Sequence, residues 1–160
     1  MSCLRAVAGQ GDFTPEEWVT LRRAMTSAGY IVAQSEGGSA ADMLAEILAV
    51  TQRLGGAGRT HPNQLVRELA AMSQLQSGMR PGLKPSDYEK ESLAAIRTAA
   101  DLVAKKAPGD LQAYRSFVVD LAEAAANAHK EGSIRGLGGV RVTAAEAAAI
   151  VRVKKALGMA

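Results

Sequence analysis

The chain has 160 residues, a hydrophobic fraction of 48%, an aromatic fraction of 4%, a formal net charge of +3 and a single cysteine. A chain of this length can bury its own core, and a core rich in alanine but poor in aromatic residues favours closely packed helices over a sheet. Cys3 alone excludes an intrachain disulfide and a cysteine-based metal cluster, and the sequence lacks the run of about 20 apolar residues that a membrane helix needs.

The excess of basic residues is small and lies mainly after Lys130. It does not form the dense basic stripe, interleaved with exposed aromatic residues, that is typical of nucleic-acid-binding surfaces. Residues 1–11 lack the apolar segment of a signal peptide. We therefore expect a cytoplasmic protein with no membrane association and no nucleic acid partner.

The first half of the chain carries two helix starts. Thr14 is followed by Pro15 and Glu17, and Ser39 is followed three residues later by Asp42; both patterns predict a capping box. Apolar residues then recur every three or four positions, which predicts one core-facing stripe in each helix. The predicted stripes are Trp18, Leu21, Met25, Ala28 and Val32 in the first helix, and Leu44, Ile47, Leu48, Thr51 and Leu54 in the second.

The glycines 37–38 and 55–56 predict the ends of these two helices. A third helix is predicted from residues 61–62, and the stretch 77–85, with two glycines and two prolines, predicts a loop. Beyond it, residues 86–89 have the pattern of another capping box, and Asp110 follows the helix breaker at 108–109.

A last helix is predicted from Thr143, which is followed three residues later by Glu146. The whole pattern predicts an all-α bundle of about six helices in two related αα units, without significant sheet. Residues 1–12 are predicted to form a flexible N-terminal arm. Residues 13–160 are predicted to form a single helical domain, with halves 13–76 and 86–158 joined by the loop 77–85.

The segment 121–158 carries the most distinctive pattern. An alanine-rich helix runs to Glu131 and Gly132, a loop leads to Thr143 and Glu146, and the segment closes on Leu157 and Gly158. This order resembles the tellurite-resistance TerB-like helical domain, which combines an alanine-rich helix, an acidic glycine turn, a capped helix and a closing Leu-Gly. The resemblance implies an all-helical bacterial domain of two related halves, linked to stress responses and, in some members, to metal binding at the acidic turns.

The acidic turns of this chain offer few metal ligands. The metal-binding aspartate of the family would align near Ser35 or Glu36 in the first half and near Lys130 or Glu131 in the second. A hard cation requires several converging oxygen ligands, and Lys130 would compete with it for the site. Glu36 and Glu131 are therefore weak metal candidates, and we expect no bound metal and no other cofactor.

The glycine-rich stretch 133–142 is a second candidate site. Arg135 and Arg141 flank Gly138 and Gly139, and the stretch leads into the helix start at Thr143, where free N–H groups attract anions. A flexible insert is the alternative interpretation, because the stretch lacks the strand and the third glycine of a dinucleotide-binding turn.

No catalytic constellation is visible from the spacing of the residues. His61 lies at a predicted helix start and His129 near a predicted helix end, and neither of these two histidines has a neighbouring ligand or nucleophile in the sequence. The sequence therefore favours a non-enzymatic interaction or accessory protein, with a protein partner or self-association. A small anion- or metal-ion-binding domain that uses residues 133–142 and Thr143 is the alternative.

Overall fold

A computed structural model describes residues 8–35, 39–72, 82–132 and 142–159. The described residues form six α-helices and no strand, which confirms the predicted all-α fold. The helices are α1 (Pro15–Gln34), α2 (Ala40–Thr60), α3 (Gln64–Met72), α4 (Pro85–Lys106), α5 (Leu111–Gly132) and α6 (Ala144–Ala156). Short 3₁₀ turns, Gln10–Asp12 and Pro108–Asp110, precede α1 and α5. None of the helices in these ranges is long and apolar enough to cross a membrane.

Helix α1 lies at the centre of the bundle. It packs mainly on α4 and α5 and also contacts α2, α3 and α6. Every residue from Ala24 to Ala33 is buried, so this part of α1 has no solvent-facing side. Gly29 lets α2 approach, because a Cβ atom at this position would lie 2.6 Å from Cγ2 of Val50.

The predicted capping boxes at Thr14, Ser39 and Thr143 are confirmed, each with reciprocal hydrogen bonds between the N-cap residue and the third helical residue. The predicted box at residues 86–89 is wrong. Helix α4 begins two residues earlier, with Pro85 in its first turn and Lys84 as an N-cap that makes no side-chain hydrogen bond. Proline is favoured at this position because a backbone N–H would have no helical partner there and because the φ angle of proline is already helical.

The predicted end of α2 at Gly55 and Gly56 is also wrong, because α2 continues to Thr60. Two observations explain the extension. Leu54 and Ala57 are buried on the inner side of the helix, and Gly58 packs so closely on α3 that an added Cβ would lie 2.8 Å from Cα of Ala71. Tertiary packing thus holds the helix through two glycines that favour its termination.

Candidate functional site

The residues predicted to bind an anion are only partly described. Arg135, Gly138, Gly139 and Arg141 lie outside the described residues, whereas Thr143 is the N-cap of α6. The Thr143 hydroxyl accepts a hydrogen bond from the Glu146 N–H at 3.2 Å, and Glu146 Oε2 accepts one from the Thr143 N–H at 2.9 Å. Two N–H groups at this helix start therefore already have partners within the chain.

Glu146 also places a carboxylate at the N-terminus of α6. Its side chain is buried, and its Oε1 atom has no hydrogen-bond partner in the described part of the chain. A carboxylate at this position would oppose the binding of an anion to the remaining N–H groups. Anion binding by residues 133–142 and Thr143 stays a prediction.

The two weak metal candidates are not brought into any described site. Glu36 lies outside the described residues, and Glu131 is described only as part of the backbone of α5. Within the described ranges, no group of three His, Cys, Asp or Glu side chains is arranged to hold a metal ion.

A face of α2 points away from the bundle. The prediction that Leu44 and Leu48 belong to the core is wrong, whereas Leu54 of the same predicted stripe is buried as expected. Leu44 is 58% exposed and Leu48 is 50% exposed. Core contact is made instead by the opposite side of the helix, where Val50 and Leu54 are buried. Both sides are apolar, so the periodicity alone indicates two possible orientations. We name the outward face of α2 by its residues, which recur every three or four positions: Ala41, Leu44, Leu48, Thr51 and Gly55.

The outward face of α2 is uncharged from Ala41 to Gly55, and it changes shape along its length. Leu44 and Leu48 project from the first half. In the second half, an added Cβ at Gly55 would meet no atom within 4 Å. Gly55 also borders a hollow of about 340 Å³ between α2 and α3, to which Gly58 contributes. The surface is therefore bulky at one end and hollow at the other.

A groove of about 620 Å³ lies between α2 and α5, on a different side of α2. Phe117 and His61 line one part of the groove, and their rings meet edge to face with centroids 5.4 Å apart. The small residues on its walls keep it open: Ala49, Gly56 and Ala57 from α2, and Ala124 and Ala128 from α5. An added Cβ at Gly56 would meet no atom within 4 Å, so the fold does not require glycine there.

His61 is held in one orientation in this groove. Its Nδ1 atom accepts a hydrogen bond from the Asn63 N–H at 3.1 Å, and its carbonyl accepts one from Nη1 of Arg67 at 2.7 Å. The Asn63 side chain is itself fixed by Asp110, 2.8 Å away. Nε2 is therefore the ring nitrogen of His61 that remains for a ligand.

The charged residues of the groove were not predicted as a site. Arg53 comes from α2, and Asp120 and Glu123 come from α5. In the sequence these residues have the pattern of solvated helix faces. The one signal of this groove in the sequence was the pair of glycines at 55 and 56. Glycine inside a helix lowers helix stability by about 1 kcal/mol relative to alanine, so its presence indicates a need for space.

Comparisons with known proteins identify no family for this chain. No model of a known protein family matches it, and no solved structure matches it. A stretch of 81 residues is 37% identical to part of the bifunctional glutamine synthetase adenylyltransferase/adenylyl-removing enzyme of Streptomyces coelicolor. The stretch covers 49% of this chain but only 7% of that enzyme, so the likeness does not assign the activity of the enzyme to this chain.

Proposed function

We propose that this chain is an interaction domain that self-associates through the outward face of α2. A role as a cytoplasmic accessory protein in a bacterial stress response, which the TerB-like resemblance implies, belongs to the same proposal. The observation that carries the proposal is the exposure of Leu44 (58%) and Leu48 (50%) on one uncharged helix face. Exposed apolar surface that is contiguous favours protein association, whereas single exposed apolar residues are common on any protein.

The shape of the face supports a second copy of the chain as the partner. Two copies related by a two-fold axis perpendicular to α2 would place their α2 helices side by side in opposite directions. Leu44 and Leu48 of one copy would then lie against Thr51 and Gly55 of the other, so that each bulky half meets a hollow half. Such interlocking of large and small residues is what close helix packing requires.

The size of the face sets the expected strength of the association. A stable interface commonly buries about 1,600 Å² in total and about 20–30 residues on each side, whereas the outward face of α2 consists of residues from one helix only. We therefore expect a reversible dimer whose population rises with concentration, rather than a permanent assembly.

Sedimentation velocity over a wide concentration range tests the proposal. The wild-type chain of 16.7 kDa should approach twice this mass at high concentration. The double variant Leu44→Ser/Leu48→Ser should stay monomeric. Gly55→Leu should also stay monomeric, because its side chain fills the hollow of the proposed interface but meets no atom of its own chain near the Cβ position.

The matched control is the double variant Val19→Ser/Val151→Ser. These valines are 47% and 62% exposed, but they lie on α1 and α6 rather than on α2. This control should dimerise like the wild type. A wild-type chain that remains at 16.7 kDa at every concentration, or dimers that persist in both the leucine and the glycine variants, would refute the proposal.

A further inference from the structure

The groove between α2 and α5 contains two charged side chains that have no partner within the described residues. Arg53 and Asp120 line the groove from opposite helices, and within the described residues neither side chain forms an ion pair or a hydrogen bond. Glu123, one turn beyond Asp120, differs because Nζ of Lys154 lies 3.8 Å from its Oε1 atom. The groove therefore presents a positive group on one wall and a negative group on the other.

The two charged groups do not neutralise each other across the groove. A ligand that spans the groove would meet the Arg53 guanidinium, which can pair with a carboxylate of the ligand. It would also meet the Asp120 carboxylate, which can pair with an ammonium group of the ligand. The half-buried His61 ring packs on the buried Phe117 ring and gives the groove an apolar contact beside these charges. Because Nδ1 of His61 accepts the Asn63 N–H, its Nε2 atom is left for a further hydrogen bond. A small number of convergent polar groups beside an apolar contact is typical of small-molecule sites.

The volume of the groove limits the size of the ligand. About 620 Å³ is a common volume for a small-molecule site, and Gly56 keeps the recess open although the fold leaves room there for a side chain.

We propose that this groove binds a small zwitterion, an amino acid or a dipeptide, whose carboxylate pairs with Arg53 and whose ammonium group pairs with Asp120. The site is independent of the proposed self-association, because it uses a different side of α2. The part of the groove beside Phe117 and His61 would accept an apolar side chain of the ligand.

An NMR titration of the ¹⁵N-labelled full chain tests this proposal. Leucine and glycyl-leucine are the probes, and they distinguish an amino acid from a dipeptide as the better ligand. N-acetyl-leucine lacks the ammonium group, leucine amide lacks the carboxylate, and N-acetyl-leucine amide lacks both. We expect saturable shifts at the amides of Gly56, His61 and Phe117 with a zwitterion, and weaker binding by about tenfold when either charge is removed.

Variants of the chain give the complementary test. Arg53→Gln and Asp120→Asn should each weaken binding by about tenfold. Arg59→Gln, on the same helix but outside the groove, and Asp101→Asn, on α4, are the matched controls and should bind like the wild type. Gly56→Leu should abolish the shifts while the chain remains folded, because the added Cβ meets no atom within 4 Å.

The absence of saturable shifts with both zwitterions would overturn the proposal. Equal binding of N-acetyl-leucine amide would also overturn it, because that result would show an apolar recess without charge recognition. Sedimentation of the same variants separates the two proposals, since Arg53→Gln and Asp120→Asn should leave the mass of the chain in solution unchanged.

Discussion

Helices α1 and α2 are similar in length and both are rich in small and apolar residues, yet the bundle covers them very differently. All residues of α1 from Ala24 to Ala33 are buried, whereas α2 buries Val50 and Leu54 and exposes Leu44 and Leu48. The surroundings of the glycines differ between the two helices in the same way. Gly29 of α1 is in tight contact with α2, and Gly55 of α2 faces open space. The residues of α1 are explained by packing within the chain, and those of α2 require a second explanation.

The largest expected effect is a difference between two identical substitutions. Leu21→Ala in α1 removes a side chain that is fully buried and should lower the free energy of unfolding by about 2–5 kcal/mol, through lost burial and the remaining cavity. Leu44→Ala in α2 should change it by less than about 0.5 kcal/mol in the monomer, as expected for a surface position. Urea denaturation at low protein concentration measures both values, and equal losses would contradict the assigned orientation of α2.

Glycine-to-alanine substitutions should change the stability of the chain in opposite directions in the two helices. Gly29→Ala places a methyl group 2.6 Å from the Val50 side chain, and we expect this overpacking to destabilise the chain by about 1–2 kcal/mol. Gly55→Ala and Gly56→Ala meet no neighbouring atom, and the better helix propensity of alanine should stabilise the chain by about 0.5–1 kcal/mol each. Thermal and urea unfolding give these values. A stabilising Gly29→Ala would show that α1 and α2 are not closely packed.

A smaller effect is expected at the contact that fixes α1 against α5. The buried Tyr114 hydroxyl donates a hydrogen bond to the Leu21 carbonyl at 2.9 Å, and burial raises the pKa of Tyr114. Tyr114→Phe keeps the ring and removes this bond, so we expect a loss of about 1 kcal/mol in the free energy of unfolding. Val151→Ala, at a residue that is 62% exposed, is the control and should have little effect.

The smallest effect is expected at the beginning of α1. The Lys106 ammonium, 2.5 Å from Oε2 of Glu17, and the Thr14 N–H lower the pKa of Glu17 below its ordinary value of 4.5. This carboxylate therefore stabilises the fold fully above about pH 4.5, and its contribution is lost as the pH falls through the lowered pKa. In Glu17→Gln, stability should depend less steeply on pH in this acidic range. A profile parallel to that of the wild type would contradict the assigned pairing.

The sequence predicted the helices well because their signals are local. The capping pairs that begin at Thr14, Ser39 and Thr143 need only residues within one turn, and all three form as expected. The burial of Trp18 was also predicted correctly, because it belongs to an apolar stripe that recurs every three or four residues.

The orientation of α2 and the α2–α5 groove could not be predicted in the same way. Leu44 and Leu54 lie on different sides of one helix, and the positions of α1, α3 and α5 decide which side is covered. Arg53 and Asp120 are distant in the sequence and become a pair only when the two helices pack together. The extension of α2 through Gly55 likewise depends on contacts with α3, which no local propensity reports.

The most direct test of self-association through the outward face of α2 is an isotope-filtered NOE experiment on a mixed sample. One half of the sample carries ¹³C-labelled leucine and valine methyl groups, and the other half carries ¹⁵N. We predict NOEs from the Leu44 methyl groups of one copy to the Gly55 amide of the other, and none from the exposed methyl groups of Val151. A dimer that shows no NOE to the amides of α2, or a sample that shows no intermolecular NOE at any concentration, would contradict the account.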